Sequence, residues 1–299
     1  MKENIFITGA TGFVGTGIIQ GLADEGFQIT ASYRHIRGIL RKNIAWVQAD
    51  LTDTENDLKR HLDSSSTLIH NAAVIPKTRT PEELRLLQLT NIDLTERLFD
   101  TAIACGIKRI IFTSGFNVIQ KPLPSIITEE SPTEVYEDPY AFSKIQGENY
   151  LKQKASQHNI AYSIFRISSP VSFSLEQMPQ TVIRQWIEKS LKNENLKIHG
   201  SGGRTQDFVS LHDVAEAYKN CLIRGGSGLF NIASGTQLSM LELATLITQR
   251  FNNRFLHDEP DTNENIHWNI SIAKAMKELG YSPQYSSKEC IVQLLKRIK

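Results

Sequence analysis

Tyr140 and Lys144 stand four residues apart in Pro139-Tyr140-Ala141-Phe142-Ser143-Lys144, a spacing that puts both side chains on one face of a helix. A phenol with a pKa near 10 exchanges protons poorly at neutral pH, and an ammonium beside it favours the phenolate. The pair reads as an acid–base device in which Tyr140 moves a proton and Lys144 tunes it. Many helices carry such a pair by chance, so its meaning depends on what precedes it. The apolar run Ile5-Phe6-Ile7 enters Thr8-Gly9-Ala10-Thr11-Gly12-Phe13-Val14-Gly15, after which a helical pattern starts. Glycines at three-residue spacing on a strand-to-helix turn let backbone N–H groups at the positive helix end approach a pyrophosphate, and the last one allows close helix–strand packing. Gly9, Thr11, Gly12, Phe13, Val14 and Gly15 are therefore expected to hold a dinucleotide, with Lys144 also reaching its nicotinamide ribose.

The second strand ends in Tyr33-Arg34, where an NAD site usually offers Asp or Glu to the ribose hydroxyls. Without an acid to repel a 2′-phosphate, and with the Arg34 guanidinium able to pair with it, NADP(H) is the expected cofactor and NAD the alternative. Arg37, Arg41 and Lys42 add positive charge nearby. Asp50, in Ala49-Asp50-Leu51, is placed to accept from the adenine amino group; an N-cap at Thr52 or Asp53 is the structural alternative for that neighbourhood.

The elements that must position these groups follow a βαβ rhythm. Asn4 to Thr8, Gln28 to Tyr33, Ile44 to Ala49, Thr67 to His70, Arg109 to Thr113 and Ala161 to Ile167 read as strands. Phe13 to Asp24, Thr54 to Leu62, Glu82 to Ala104 and Pro139 to Gln157 carry apolar residues at helical spacing, as the crossovers of a parallel sheet require. The predicted class is α/β, a doubly wound parallel sheet with a smaller C-terminal α/β domain. The boundaries are 1–170 with 206–228 for the dinucleotide domain, and 171–205 with 229–299 for the substrate domain. Further helices are predicted near Gln180 to Leu191, Ser239 to Arg250, Ile272 to Leu279 and Ser287 to Ile298.

The 33 basic and 32 acidic residues give a net charge of +1, which recruits neither nucleic acid nor an anionic membrane surface. Cys105, Cys221 and Cys290 lie far apart without ligand or pairing spacing, as suits a reducing compartment. The eight histidines form no metal-ligand cluster, so no metal is expected. The chain opens directly into a strand, and no apolar run approaches the ~20 residues that span a bilayer. A cytoplasmic, soluble protein is expected.

At this point the chain resembles the extended short-chain dehydrogenase/reductases, the NAD-dependent epimerase/dehydratase family. The resemblance covers nearly the whole chain. It rests on the Gly9 to Gly15 loop, Asp50-Leu51, Asn71-Ala72-Ala73, Asn91, Thr113-Ser114, Tyr140 with Lys144, Arg166 to Pro170, Asp207-Phe208-Val209 with His212-Asp213-Val214-Ala215, and Phe230-Asn231-Ile232-Ala233-Ser234-Gly235. It implies a Rossmann domain with Ala72 and Ala73 lining the cofactor, a structural Asn91, and a C-terminal domain binding substrate, commonly a nucleotide sugar. It also implies hydride transfer at a sugar carbinol or ketone (4-epimerase or 4-keto reductase), and a homodimer through Glu82 to Ala104 and Pro139 to Gln157. Thr113, Ser169 and Arg204 are the expected substrate contacts.

The departures from the family pattern are specific. Gly115 occupies the position of the family's substrate-binding Ser or Thr, so Ser114 or Thr113 is expected to supply the hydroxyl. Phe116 and Asn117 replace the Asp-Glu of the 4,6-dehydratases, which disfavours dehydration, and no cysteine in this stretch supports a combined epimerase–reductase. Gln206 stands where an arginine contacts the diphosphate, with Arg204 two residues earlier, and His257-Asp258-Glu259-Pro260-Asp261 is acidic where a second arginine is common. These changes keep two alternatives open: reduction of a non-sugar carbonyl, and a non-catalytic NADP(H)-binding regulatory module.

Overall fold

Short β-branched runs bounded by glycine and polar turns form the strands, and amphipathic stretches between them form the helices. The computed structural model describes residues 4–35, 37–49, 55–134 and 137–298. Asp50, Leu51, Thr52 and Asp53, singled out by sequence, lie outside the described residues. The chain divides into two compact units: Met1–Gln120, Pro132–Ile167 and Ala215–Phe230 form the first, and Lys121–Ser131, Ser168–Val214 and Asn231–Lys299 the second. The strand and first helical turn of the βα unit expected to return to the first domain, residues 206–214, thus belong to the second.

In the first unit, β1 (Asn4–Thr8), α1 (Phe13–Asp24), β2 (Gln28–Tyr33), β3 (Ile44–Gln48), α2 (Glu55–Leu62), β4 (Thr67–His70), α3 (Pro81–Leu87), α4 (Leu94–Ala104), β5 (Arg109–Gly115), α5 (Pro139–His158) and β6 (Ala161–Ile167) follow in order. The seven-stranded sheet runs Gly228–Ile232, β6, β5, β4, β1, β2, β3, and β1 to β6 pair in parallel. Gly228–Ile232 is its edge strand, although sequence reading placed all of it after Gly228 in the substrate domain. The chain reverses direction across the sheet between β1 and β4, where the ends of these two strands open the crevice in which doubly wound sheets bind ligands.

Each helix buries the stripe its spacing dictates. α1 buries Gly15, Ile18, Ile19, Leu22 and Ala23, and α4 buries Leu94, Leu98, Phe99 and Ala102. α4 packs with Phe6, Leu68, Ile110, Phe112, Leu151 and Ile164 into one apolar cluster. The single helix expected over Glu82 to Ala104 is interrupted by a π-helical segment, Gln88–Asp93, with the Leu94 N–H donating to the carbonyl of Leu89. The wider turn accommodates the buried Asn91, whose side chain accepts from Val74 N–H at 2.8 Å and donates to the Val74 carbonyl at 2.9 Å and to Ser143 Oγ at 3.2 Å. Such π segments concentrate at functional sites.

In the second unit, Ser169–Val171 pairs with Phe208–Ser210 and Leu196–Ile198 with Phe255–His257, both in parallel. Two of its helices, Met240–Phe251 and Ser287–Arg297, begin with capping boxes, Ser239 with Glu242 and Ser286 with Glu289, which satisfy the first free N–H groups. Among the described residues no helix is long and apolar enough to cross a membrane.

Candidate active site

The loop after β1 can be built only from small residues. Gly9 has φ +65°, and a Cβ there would lie 2.5 Å from the backbone nitrogen of Ala72, while one at Gly15 would overlap the Gly9 carbonyl oxygen. Asn71 Nδ2 and Gly12 N–H both donate to that carbonyl, each at 3.1 Å. α1 then starts without a side-chain cap and without an acid in its first turn. Its free N–H groups and positive dipole end suit an anion. This small-residue cradle fits a dinucleotide pyrophosphate, and Ala72, whose backbone lies against Gly9, follows β4 together with Ala73.

Beneath the loop, the buried His70 links the strand ends: its Nδ1 is 2.7 Å from Thr8 Oγ1 and its Nε2 is 2.9 Å from Thr95 Oγ1. Burial, assisted by the charge of Lys144, lowers its pKa to about 3, so the ring is neutral and serves as a brace. Arg34 is exposed at the end of β2, and its carbonyl accepts from Gln48 Nε2 at 3.0 Å.

α5 is anchored by Asp138, whose Oδ1 accepts from Tyr140 N–H at 3.0 Å and Ala141 N–H at 3.3 Å, with Pro139 in the first turn. Ser143 Oγ donates to the Tyr140 carbonyl at 2.7 Å, and Asn91 holds Ser143 in turn. Farther along, Gly147 lets α5 approach β5, since a Cβ there would lie 2.7 Å from the Phe112 ring. Tyr140 and Lys144 are thus brought together, with Lys144 Nζ 5.7 Å from the Tyr140 ring centroid and 4.8 Å from that of Phe112.

The electrostatics depart from the sequence expectation. Lys144 Nζ donates to the Thr113 carbonyl at 2.9 Å. Burial lowers the pKa of this lysine to about 8, against a smaller upward pull from the Glu148 carboxylate. The Tyr140 hydroxyl, expected to be drawn down by the ammonium, is instead pushed up to about 12, by burial and then by the negative charge of Asp138. Desolvation decides the sign, because the phenolate would have to form away from bulk water. At neutral pH the tyrosine is a neutral proton donor and the lysine its cationic neighbour.

Both candidate replacement hydroxyls have other partners. Thr113 Oγ1 is 2.6 Å from the buried Tyr218 hydroxyl, and Ser114 Oγ donates to Glu148 Oε1 at 2.7 Å. Glu148 also accepts from Arg166, Nε to Oε1 at 3.0 Å and Nη2 to Oε2 at 2.7 Å, and both residues are 2% exposed. Sequence reading missed the role of Glu148. Its signal was the spacing, since Tyr140, Lys144 and Glu148 recur every four residues on the helix face turned to the core.

In the second unit, Ser169 Oγ accepts from Gln206 Nε2 at 2.6 Å. Arg204 faces the acidic segment, with its Nε 3.1 Å from Asp261 Oδ2. Asp207 is fully buried, accepting from Ser168 Oγ at 2.9 Å and Ser234 N–H at 2.8 Å, and burial raises its pKa to about 6. Among the described residues, no group of three or more His, Cys, Asp or Glu is arranged to hold a metal ion.

A doubly wound sheet with a glycine cradle at its reversal point, and with a half-buried Tyr140 beside a buried Lys144 in the same unit, defines a nicotinamide-dinucleotide enzyme of the short-chain dehydrogenase/reductase type. Residues 5–233 match the model of the NAD dependent epimerase/dehydratase family. The chain belongs to that family, among the extended short-chain dehydrogenase/reductases. A putative UDP-glucose 4-epimerase of Methanocaldococcus jannaschii is 29% identical, covering 99% of this chain and 98% of that protein. The dTDP-4-dehydro-6-deoxyglucose reductase of Escherichia coli is 24% identical over 100% of this chain and 98% of its own length. Among solved structures, the UDP-glucose 4-epimerase of Thermotoga maritima with UDP-glucose has a TM-score of 0.85 at 23% identity, covering 98% of this chain and 97% of that one. The UDP-glucuronic acid 4-epimerase of Bacillus cereus, in complex with UDP-glucuronic acid and NAD, has a TM-score of 0.84 at 21% identity, covering 98% of each chain.

Proposed function

We propose that the protein transfers a hydride at a carbinol or ketone of a nucleotide sugar, as a 4-epimerase or 4-keto reductase. The observation that carries this reading is the pairing of a neutral, half-buried Tyr140 with a buried Lys144 at the end of β5, in the same unit as the glycine cradle. The relatives matched over their full length, a putative UDP-glucose 4-epimerase and a deoxysugar reductase, support the substrate class. A bound nicotinamide would give or take the hydride. The chain's own residues do the rest: the Gly9 to Gly15 loop and the first turn of α1 hold the pyrophosphate, Tyr140 passes its proton to the substrate oxygen or recovers it, and Lys144 holds positive charge beside that proton. The test is to mix the protein with NAD⁺ or NADP⁺ and UDP-glucose, UDP-N-acetylglucosamine or UDP-glucuronic acid, following both the absorbance of reduced nicotinamide and the 4-epimeric product. Absence of both across the panel would defeat the reading.

The ion pair between Arg204 and Asp261 favours a second reading, reduction of a non-sugar carbonyl, because it engages the cation nearest the position of the missing diphosphate arginine. UDP binding, measured by calorimetry, separates the two, since the second reading predicts none.

For the cofactor, NADP(H) is the choice that an exposed Arg34, flanked in sequence by Tyr33 and His35 and not by an acid, supports. NADPH is expected to bind about tenfold or more tightly than NADH, about 1.4 kcal/mol or more, and Arg34→Ala to abolish the difference. Fluorescence titration with both dinucleotides checks this. A homodimer is the state that exposed Leu86, Leu89 and Phe142, on the helices expected to dimerise, support. Sedimentation is expected to give twice the 33.7 kDa chain mass, and Leu89→Lys combined with Phe142→Lys to return it to the monomer.

A further inference from the structure

A carbonyl that receives a hydride becomes an alkoxide, and one proton donor, Tyr140, orients that oxygen poorly; a second donor fixes its direction. Gly115, the last residue of β5, has no side chain to provide it. The hydroxyls of Thr113 and Ser114 are held by Tyr218 and Glu148, and releasing either would strand a buried partner. One polar side chain next to Gly115 has no such commitment. Asn117 lies in the 3₁₀ turn Phe116–Val118 that follows β5, half-buried, and its amide has no hydrogen-bond partner among the described residues. A Cβ built on Gly115 would come within 3.0 Å of Asn117 Oδ1, so the asparagine head group stands beside the space a serine side chain would use. The turn is fixed from both sides by Phe116 and Val118, which are 6% and 0% exposed, and it packs against α5, the helix of Tyr140.

We infer that the Asn117 amide is the substrate-orienting group of this site, donating through Nδ2 to the reacting oxygen in place of the hydroxyl that Gly115 lacks. The inference rests on the hydride-transfer reading above. An amide offers two donors and an acceptor and does not titrate near neutrality, so Asn117 aligns the oxygen without competing with Tyr140 for the proton. Gly115 and Asn117 form a matched pair on this account: the missing Cβ leaves room for the longer side chain that substitutes for it.

The experiment compares wild type, Asn117→Ala, the double variant Gly115→Ser/Asn117→Ala, and Tyr140→Phe, using the UDP-sugar of the panel that the wild type turns over fastest. Asn117→Ala is expected to lower kcat about 10²-fold, within the range for losing one such donor, with KM changed a few-fold at most and thermal stability unchanged. The double variant is expected to recover at least tenfold of that loss, because truncating Asn117 clears the space for the serine hydroxyl. A purely structural Asn117 predicts no such rescue. If the alanine variant does not fold, Asn117→Asp carries the test: its carboxylate accepts but does not donate, so kcat is expected to fall at least as far. Wild-type kcat in Asn117→Ala or Asn117→Asp alongside an inactive Tyr140→Phe, or a double variant no faster than Asn117→Ala, overturns the inference. Undiminished turnover in Tyr140→Phe, or no turnover by the wild type, defeats the functional reading first and the inference with it.

Discussion

Tyr140→Phe is expected to lower turnover by about 10²–10⁴-fold, the usual contribution of a positioned proton donor, while leaving the fold intact. The hydroxyl is the only group removed, and the surroundings of the ring stay packed: Asp138 holds the first turn of α5 through backbone N–H groups, and Ser143 bonds the Tyr140 carbonyl. None of these contacts uses the hydroxyl. Steady-state kinetics beside a thermal melt checks both halves; equal loss of activity and stability would mean that Tyr140 is a packing residue. The direction of the proton is also fixed. With its pKa raised to about 12, Tyr140 enters the reaction protonated, so its first act in the reductive direction is donation.

Arg166→Met is expected to destabilise the protein by about 3–5 kcal/mol, the cost of leaving a buried charge without its partner. Among the described residues, Glu148 would keep only Ser114 as a close donor, with Lys152 Nζ 3.8 Å away and itself partly exposed. Denaturant midpoints measure the effect. Replacing both members, Arg166→Met with Glu148→Leu, is expected to recover most of the loss, since no stranded charge remains. That double variant still carries a functional signature. The Glu148 carboxylate raises the pKa of Lys144 while burial lowers it. Removing the carboxylate therefore moves the lysine below its value of about 8, and the alkaline limb of the pH–rate profile shifts to lower pH. A stable double variant with an unshifted profile would show that Glu148 supports only the fold.

Most of the fold was legible because its signals are local. Period-two and period-3.6 patterns, together with the glycine turn at Gly9 to Gly15, locate the strands and helices of the sheet to within a residue or two, and Asp138-Pro139 marks the start of α5. The π segment at Gln88–Asp93 left no such trace, because it answers to a tertiary demand, the clamp of Asn91 on Val74 and Ser143. That the run at residues 229–232 would join the edge of the seven-stranded sheet was not legible for a similar reason: a short apolar run does not reveal which sheet it joins. In the site, Tyr140 and Lys144 were readable from spacing. The upward shift of Tyr140 was not, since it depends on burial. The partners of Thr113, Ser114 and Arg204 also came only from three dimensions; two hydrogen bonds and an ion pair join residues 105, 34 and 57 positions apart in sequence.

The central claim is that this chain moves hydride, not proton, at the sugar carbon. The direct measurement is the fate of deuterium placed at C4 of UDP-glucose, UDP-N-acetylglucosamine and UDP-glucuronic acid during turnover in ordinary water with NAD⁺ or NADP⁺. The account predicts that the label stays out of solvent, retained at C4 of the epimerised sugar or recovered on the nicotinamide ring, and that Tyr140→Phe slows its movement. Epimerisation with the deuterium washed into water would contradict it.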